Sequence, residues 1–240
     1  MRIAVIADIH GNAVAFDAVL ADLREHPVDM VVCLGDAIQG GPQPAEVVAR
    51  LRNLRCPVVY GNADAFLLTG DTGAESLTPQ QYAAREWSLA QLSEADRAFI
   101  AAFQPTVEIS LPGKRRLLCF HGSPTSFDDI IFPETPEEEV RRLLGAYLPA
   151  ILTGGHTHLQ QLRRLNDLLF FNPGSVGFVY NTRQSGGDVH TDPWAEYAIL
   201  SADERRFSIE FCRVPFDVAE WKRLTLASGI PDAETMVARY

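Results

Sequence analysis

Ile3-Ala4-Val5-Ile6-Ala7-Asp8-Ile9-His10-Gly11-Asn12 is the stretch on which the fold turns. Ile3 to Ala7 is a short, β-branched-rich run that suits a strand covered on both faces. Asp8 to Asn12 ends it, Asn12 is placed to cap a helix, and Phe16, Val19, Leu20 and Leu23 then recur at helical spacing. The order is strand, polar turn, helix. Asp8 and His10 emerge at the carboxyl end of the strand, where open α/β sheets place ligands. Taken singly, Asp8 fits a turn or capping role equally well.

The same unit recurs downstream. Val28 to Leu34 reads as a buried strand ended by Gly35-Asp36, followed by a Gly/Pro loop and a helix through Val47, Val48 and Leu51. Pro57 to Tyr60 reads as a third strand, ended by Gly61-Asn62-Ala63-Asp64. Residues 65 to about 104 change to polar helix, with helix starts at Thr78-Pro79-Gln80-Gln81 and Ser93-Glu94-Ala95-Asp96. We expect a helical insertion there, covering a sheet edge or touching substrate.

Strands resume at Thr106 to Ile109 and Arg116 to Phe120, the latter ending in His121. Thr135-Pro136-Glu137-Glu138 starts a capped helix. The apolar run Leu148 to Leu152 is a strand stopped by Gly154-Gly155, after which His156 and His158 follow with one residue between them. Alternate side chains at a strand end point the same way, so two imidazoles can converge on one point; a core or surface role for the pair is the competing reading. A hairpin turned at Asn166-Asp167, a tight loop at Asn172 to Gly177, a Gly/Asp/Thr-rich loop from Tyr180 to Pro193, two alternating strands (Glu196 to Leu200, Arg206 to Phe211) and two amphipathic pieces complete the chain. Helices cover the strands of the first half and hairpins dominate the second. The fold class is therefore mixed α/β: two mixed sheets packed face to face with helices outside, a single domain over 1–240 with a helical insertion at about 65–104.

The 240 residues suffice for a full core, and 21 basic against 31 acidic residues leave a net charge of -10. That excess disfavours non-specific binding to nucleic acid or an anionic membrane. A phosphate ester would need a local positive centre. The four cysteines are far apart, with no Cys-x-x-Cys pair, so reduced core thiols are expected rather than disulfides or zinc-thiolate sites. No segment has a signal or membrane-spanning pattern, and a cytoplasmic location is the default expectation.

The strand-end groups form one set: Asp8, His10, Asp36, Asn62, His121, His156 and His158. They are N and O donors with no sulfur, which suits two divalent cations of intermediate hardness, Mn, Fe or Zn, with Ni or Mg also possible. Seven donors are too many for one cation. Two need a shared bridging group, and the carboxylate of Asp36 is the candidate. Two metals ~3.5–4 Å apart clamp the attacking and leaving oxygens of an in-line displacement and make hydroxide available near neutral pH. Ser175 and the Asn172 to Gly177 backbone could donate to a phosphate but fit a structural turn better. Arg183 could reach the substrate from its loop but fits a solvated surface role better, and His26 and His190 read as surface residues.

Asp8-x-His10, Gly35-Asp36, Gly61-Asn62-x-Asp64, His121 and Gly154-Gly155-His156-x-His158, in this order, resemble the signature of the calcineurin-like metallophosphoesterases, and Asn172-Pro-Gly-Ser-Val resembles a following loop of small bacterial members. The resemblance implies an αββα sandwich of four layers. It implies one metal on Asp8, His10, Asp36 and His158, and a second on Asp36, Asn62, His121 and His156, with Asn62 also touching a phosphate oxygen. Many members carry a histidine after the Gly-Asn that protonates the leaving group; here the position is Ala63. General acid catalysis is worth ~10²–10⁴-fold, so its loss favours phosphodiesters or activated esters. The role of Asp64, without that histidine to orient, is either catalytic support or turn capping. The implied function is a dinuclear metal-dependent phosphoesterase, a phosphodiesterase first, acting on a small phosphoester or nucleotide through a metal-bridging hydroxide. A dinucleoside polyphosphate hydrolase, a protein phosphatase and a non-catalytic scaffold on the same fold are the alternatives.

Overall fold

A computed structural model describes residues 1–70, 77–145, 151–166, 168–180 and 190–240. Period-two alternation of apolar side chains builds the layers. In β1 (Arg2–Ile6), Ile3 and Val5 face one way and Ala4 and Ile6 the other, and all four are fully buried. A strand with no solvent face must lie inside two layers.

β1 pairs in parallel with β2 (Met30–Cys33) and antiparallel with β8 (Trp194–Ala202), whose other neighbour is β9 (Phe207–Pro215). The second sheet runs in the order β3 (Val107–Leu111), β4 (Arg115–Cys119), β5 (Ile151–Thr153), β7 (Leu168–Asn172), β6 (Gln161–Leu165), and it is parallel only across β4, β5 and β7. Between the sheets lie Ile3, Val5 and Leu200 of the first and Ile109, Leu117 and Ile151 of the second. The outer face of the first sheet is covered by Phe16 and Val19 of α1 (Ala13–Glu25), Val48 and Leu51 of α2 (Pro44–Leu54) and Ile100 of α5 (Glu94–Ala101). Val140 and Leu144 of α6 (Glu137–Leu144) cover Leu118, Leu152 and Phe170 of the second. This is the four-layer αββα sandwich with two mixed sheets. Each fully buried Leu, Ile or Val contributes about 1.5–3 kcal/mol, so the inter-sheet layer and the helix-covered outer face of the first sheet both hold the sandwich together.

Several local expectations hold in detail. Asn12 caps α1 through Ala15 N–H (3.0 Å), and Thr78 and Ser93 cap α4 (Pro79–Ala90) and α5 with reciprocal side-chain bonds from Gln81 and Asp96. Three expectations are corrected. The third strand shrinks to bridges at Val58 and Val59, which extend the first sheet beside β2. The helical stretch begins earlier, because α3 (Asn62–Thr69) starts at Asn62 itself. α6 is preceded by Pro136 without a side-chain cap, since the Thr135 hydroxyl accepts from Phe132 N–H instead. Residues 148–150 of the predicted sixth strand, Asp167 of the hairpin turn and 181–189 of the loop, Arg183 included, lie outside the described residues. α7 (Val218–Ser228) and α8 (Ala233–Ala238) close the chain. All four cysteines are free thiols, and among the described residues no helix is long and apolar enough to cross a membrane.

Candidate metal centre

Both sheets deliver their polar strand ends to one place. Asp8, His10 and His158 form one trio and Asp36, His121 and His156 another; in each, one donor atom per residue lies within 4.8 Å of the other two. His10 Nε2 and His158 Nε2 are 3.1 Å apart although 148 residues separate them. Asp8 Oδ1 lies 3.5 Å from His158 Nε2. Asn62 Oδ1 is 3.0 Å from His121 Nε2, adding the seventh predicted donor. Asp36 stands between the trios: its Oδ2 is 3.2 Å from His121 Nε2 and 3.8 Å from His10 Nε2. One oxygen facing both groups is the position a bridging carboxylate must occupy.

The backbone is bent to bring this about. Asp8, His10, Asp36, His156 and His158 all have positive φ, between 47° and 69°, a region non-glycine residues enter uncommonly. The motif glycines make room for the same groups. A Cβ on Gly61 would stand 2.1 Å from Asp36 Oδ1, and one on Gly155 would stand 2.8 Å from Asp8 Oδ2.

Ring orientation is set from behind. Nδ1 of His10 donates to the carbonyl of Gln39 (2.7 Å), that of His121 to Leu34 (2.8 Å) and that of His158 to Phe178 (2.6 Å). A neutral imidazole has one N–H, and a bond at one nitrogen decides which form is present. With Nδ1 protonated, His10 and His158 turn two Nε2 lone pairs toward each other at 3.1 Å. That arrangement repels itself unless a positive centre sits against both, so the donor set fits cations. Holding the far nitrogen on a carbonyl is also how metal-bound histidines are generally oriented.

The charge pattern follows the same geometry. Burial lowers the pKa of His10 and His158, and takes His156 to about 4, so these rings are neutral donors. Burial would lower His121 too, but the Asp36 carboxylate and its hydrogen bond, with Asp8 behind them, outweigh it and raise the ring to about 10. Burial would raise Asp36; the His121 charge and hydrogen bond, then His10 and His156, instead hold it well below the usual carboxylate range. Burial pushes the Asp8 carboxyl up.

The remaining predicted residues sort themselves by contact. Asp64 accepts from Ala37, Ile38 and Gly61 N–H (3.1, 3.3 and 3.3 Å), tying the turn after β2 to the start of α3. Its fully buried carboxyl is raised to about 7 by burial and then by Asp36. Ser175 Oγ donates to Asp8 O (2.8 Å) and accepts from Phe178 N–H (2.9 Å), and Asn172 Nδ2 donates to Gly155 O (2.6 Å); both brace the ligand loops. His26 and His190 are exposed and belong to neither trio. Unforeseen in the sequence are the three carbonyl acceptors and Tyr180, whose ring stacks on His158 at 4.6 Å. A backbone carbonyl leaves no mark on residue type.

The centre opens into a cleft of about 750 Å³, walled by α3 and α4 on one side and by α8 on another. His10, Asn62 and Ala63 form part of its lining.

Comparison with known proteins agrees with this architecture. A family model described as the calcineurin-like phosphoesterase superfamily domain matches residues 1–199. A metallophosphoesterase from Sphaerobacter thermophilus is 26% identical, superposes with a TM-score of 0.76 and is covered over 98% of its chain by the whole of this one. An uncharacterized protein of Methanocaldococcus jannaschii is 27% identical over 96% of this chain and 94% of its own. A hypothetical protein from Pyrococcus horikoshii OT3, 21% identical over 100% of this chain and 97% of that one, has the same fold with a TM-score of 0.82.

Proposed function

The chain belongs to the calcineurin-like phosphoesterase superfamily, which acts through a dinuclear divalent metal centre, and from this we propose that it is a metal-dependent phosphodiesterase. The observation that supports this reading most is the placement of Asp36 Oδ2 between two complete trios, Asp8, His10, His158 and Asp36, His121, His156. On this reading Asp8, His10, Asp36 and His158 hold one cation and Asp36, Asn62, His121 and His156 the other. When bound, such a pair neutralises phosphate charge and lowers the pKa of water, the chemistry of in-line attack at phosphorus.

The chain's own residues supply the rest. Gln39, Leu34 and Phe178 carbonyls keep three Nε2 atoms aimed inward, so little reorganisation accompanies loading. Asn62, at the first turn of α3, lines the cleft, where its amide would be free to touch a phosphate oxygen. Ala63 lines the cleft where other members carry the acid, and its methyl group cannot hand a proton to a poor leaving group. That favours diesters and activated esters over alkyl monoesters.

The test is a panel of aryl diester, cyclic nucleotide, aryl monoester and dinucleoside polyphosphate, each with Mn, Fe, Zn, Ni and Mg. Fastest turnover of the aryl diester, abolished by a chelator, is expected. Monoester preference, or no turnover with any metal, would overturn the proposal.

A further inference from the structure

The cleft is far larger than a phosphate needs, and its two ends differ in chemistry. At the end reached from Asn62 and His121, Tyr60 and Phe127 meet edge to face with ring centroids 6.2 Å apart. Both line the cleft, and Phe127 leaves 37% of its surface exposed. Two aromatic rings from separate loops, open to a cavity, offer a stacking surface for a planar group. Asp128, next in the chain and also in the lining, disfavours further phosphate charge at that end.

The opposite end is bounded by α8. Tyr240, just past that helix, donates its hydroxyl to Gly177 O (3.1 Å), and Gly177 N–H in turn bonds Asp8 O (2.9 Å). This pins α8 against the Asp8, His10, His158 side. Arg239 there is the single Lys or Arg among the described residues of the lining and has no ion pair among them. Asp232, on the same wall, has its carboxylate engaged by the Thr235 hydroxyl (2.7 Å). A guanidinium in the wall of a cleft that also holds metal-ligating groups is suited to a phosphate or carboxylate.

We infer that the cleft is a two-ended substrate site: Tyr60 and Phe127 take a planar heteroaromatic group of nucleobase size, and Arg239 takes a second anionic group, so the substrate is a nucleotide-type diester with more than one phosphate. This rests on the phosphodiesterase reading for the scissile position, but the two subsites can be tested without turnover. Pockets of 300–1,000 Å³ are of the size that encloses ligands of this class.

Calorimetric titration of the manganese-loaded protein with methyl phosphate, adenosine 5′-monophosphate and adenosine 3′,5′-bisphosphate separates the contributions. The monophosphate is expected to bind about tenfold or more tightly than methyl phosphate, and the bisphosphate about fivefold to tenfold more tightly again. Phe127→Ala removes the first ratio, and Phe127→Leu restores little of it because a flat face, not apolar volume, is required. Arg239→Gln removes the second ratio and keeps the first. Equal affinity for all three probes, or ratios that survive both substitutions, would overturn the inference. Ratios as expected in a protein that hydrolyses no aryl diester would leave the subsites standing and remove the diesterase reading.

Discussion

Five ligand-set residues in left-handed backbone conformations are the most concentrated strain in the molecule. Each such residue costs on the order of 1 kcal/mol or more, and the position of every donor atom depends on it. Asp36 is the residue on which both trios rely. Asp36→Asn keeps the shape and the Ala63 N–H bond (2.8 Å) but removes the charge, and should lower metal affinity by about 10–100-fold or more along with the diesterase rate. Metal content by elemental analysis decides it: unchanged stoichiometry counts against the bridge. Ala63 gives the complementary expectation. Ala63→His places an acid at the cleft wall and should raise the monoester-to-aryl-diester rate ratio, by up to ~100-fold. No change in that ratio would remove the leaving-group argument.

At the level of elements, the hairpin of β8 and β9 carries a charge pair whose pH behaviour is measurable away from the metals. Glu196, 3% exposed, faces Arg213 across the two strands with Nε to Oε1 at 2.9 Å. Burial holds its carboxyl above the ordinary 4.5, with Arg213 pulling the other way without cancelling it. A raised folded-state value means that its stabilising contribution is full below 4.5 and is lost as pH rises through the folded value. Glu196→Gln therefore gains on the native protein between pH 4 and pH 7.5. Urea midpoints of the two proteins at both pH values give the comparison; a constant difference would contradict the sign. The helices follow a simpler rule. α1, α4 and α5 begin where a capping side chain sits before an apolar period, and these starts were legible because capping is a contact within three residues. The third strand was over-read because Pro57 to Tyr60 has strand composition, yet only Val58 and Val59 find bridge partners.

Across the whole molecule, the centre works as a clasp between the two sheets: β1 and β2 supply Asp8, His10 and Asp36, while β4 and β5 supply His121, His156 and His158. On the proposed reading, cations held there would link both sheets and offset the local strain. Chelation should lower the melting temperature by about 5–15 °C, given roughly 2–4 °C per kcal/mol for a chain of this size, and manganese or zinc should restore it; scanning calorimetry with and without chelator measures this, and an unchanged transition would mean that the clasp is unoccupied or idle. The amino-acid sequence by itself determined the strand, turn and helix units and the identity of the polar residues at each strand end, because periodicity and capping act over a few residues. It also carried the motif order by which the family resembles this chain. Only the tertiary structure decided that β8 joins β1, that His10 and His158 meet at 3.1 Å, that three carbonyls aim the imidazoles, and that Asp64 braces a turn. Those outcomes rest on contacts between residues tens to more than a hundred positions apart, where burial and close packing, not local preference, choose the partner.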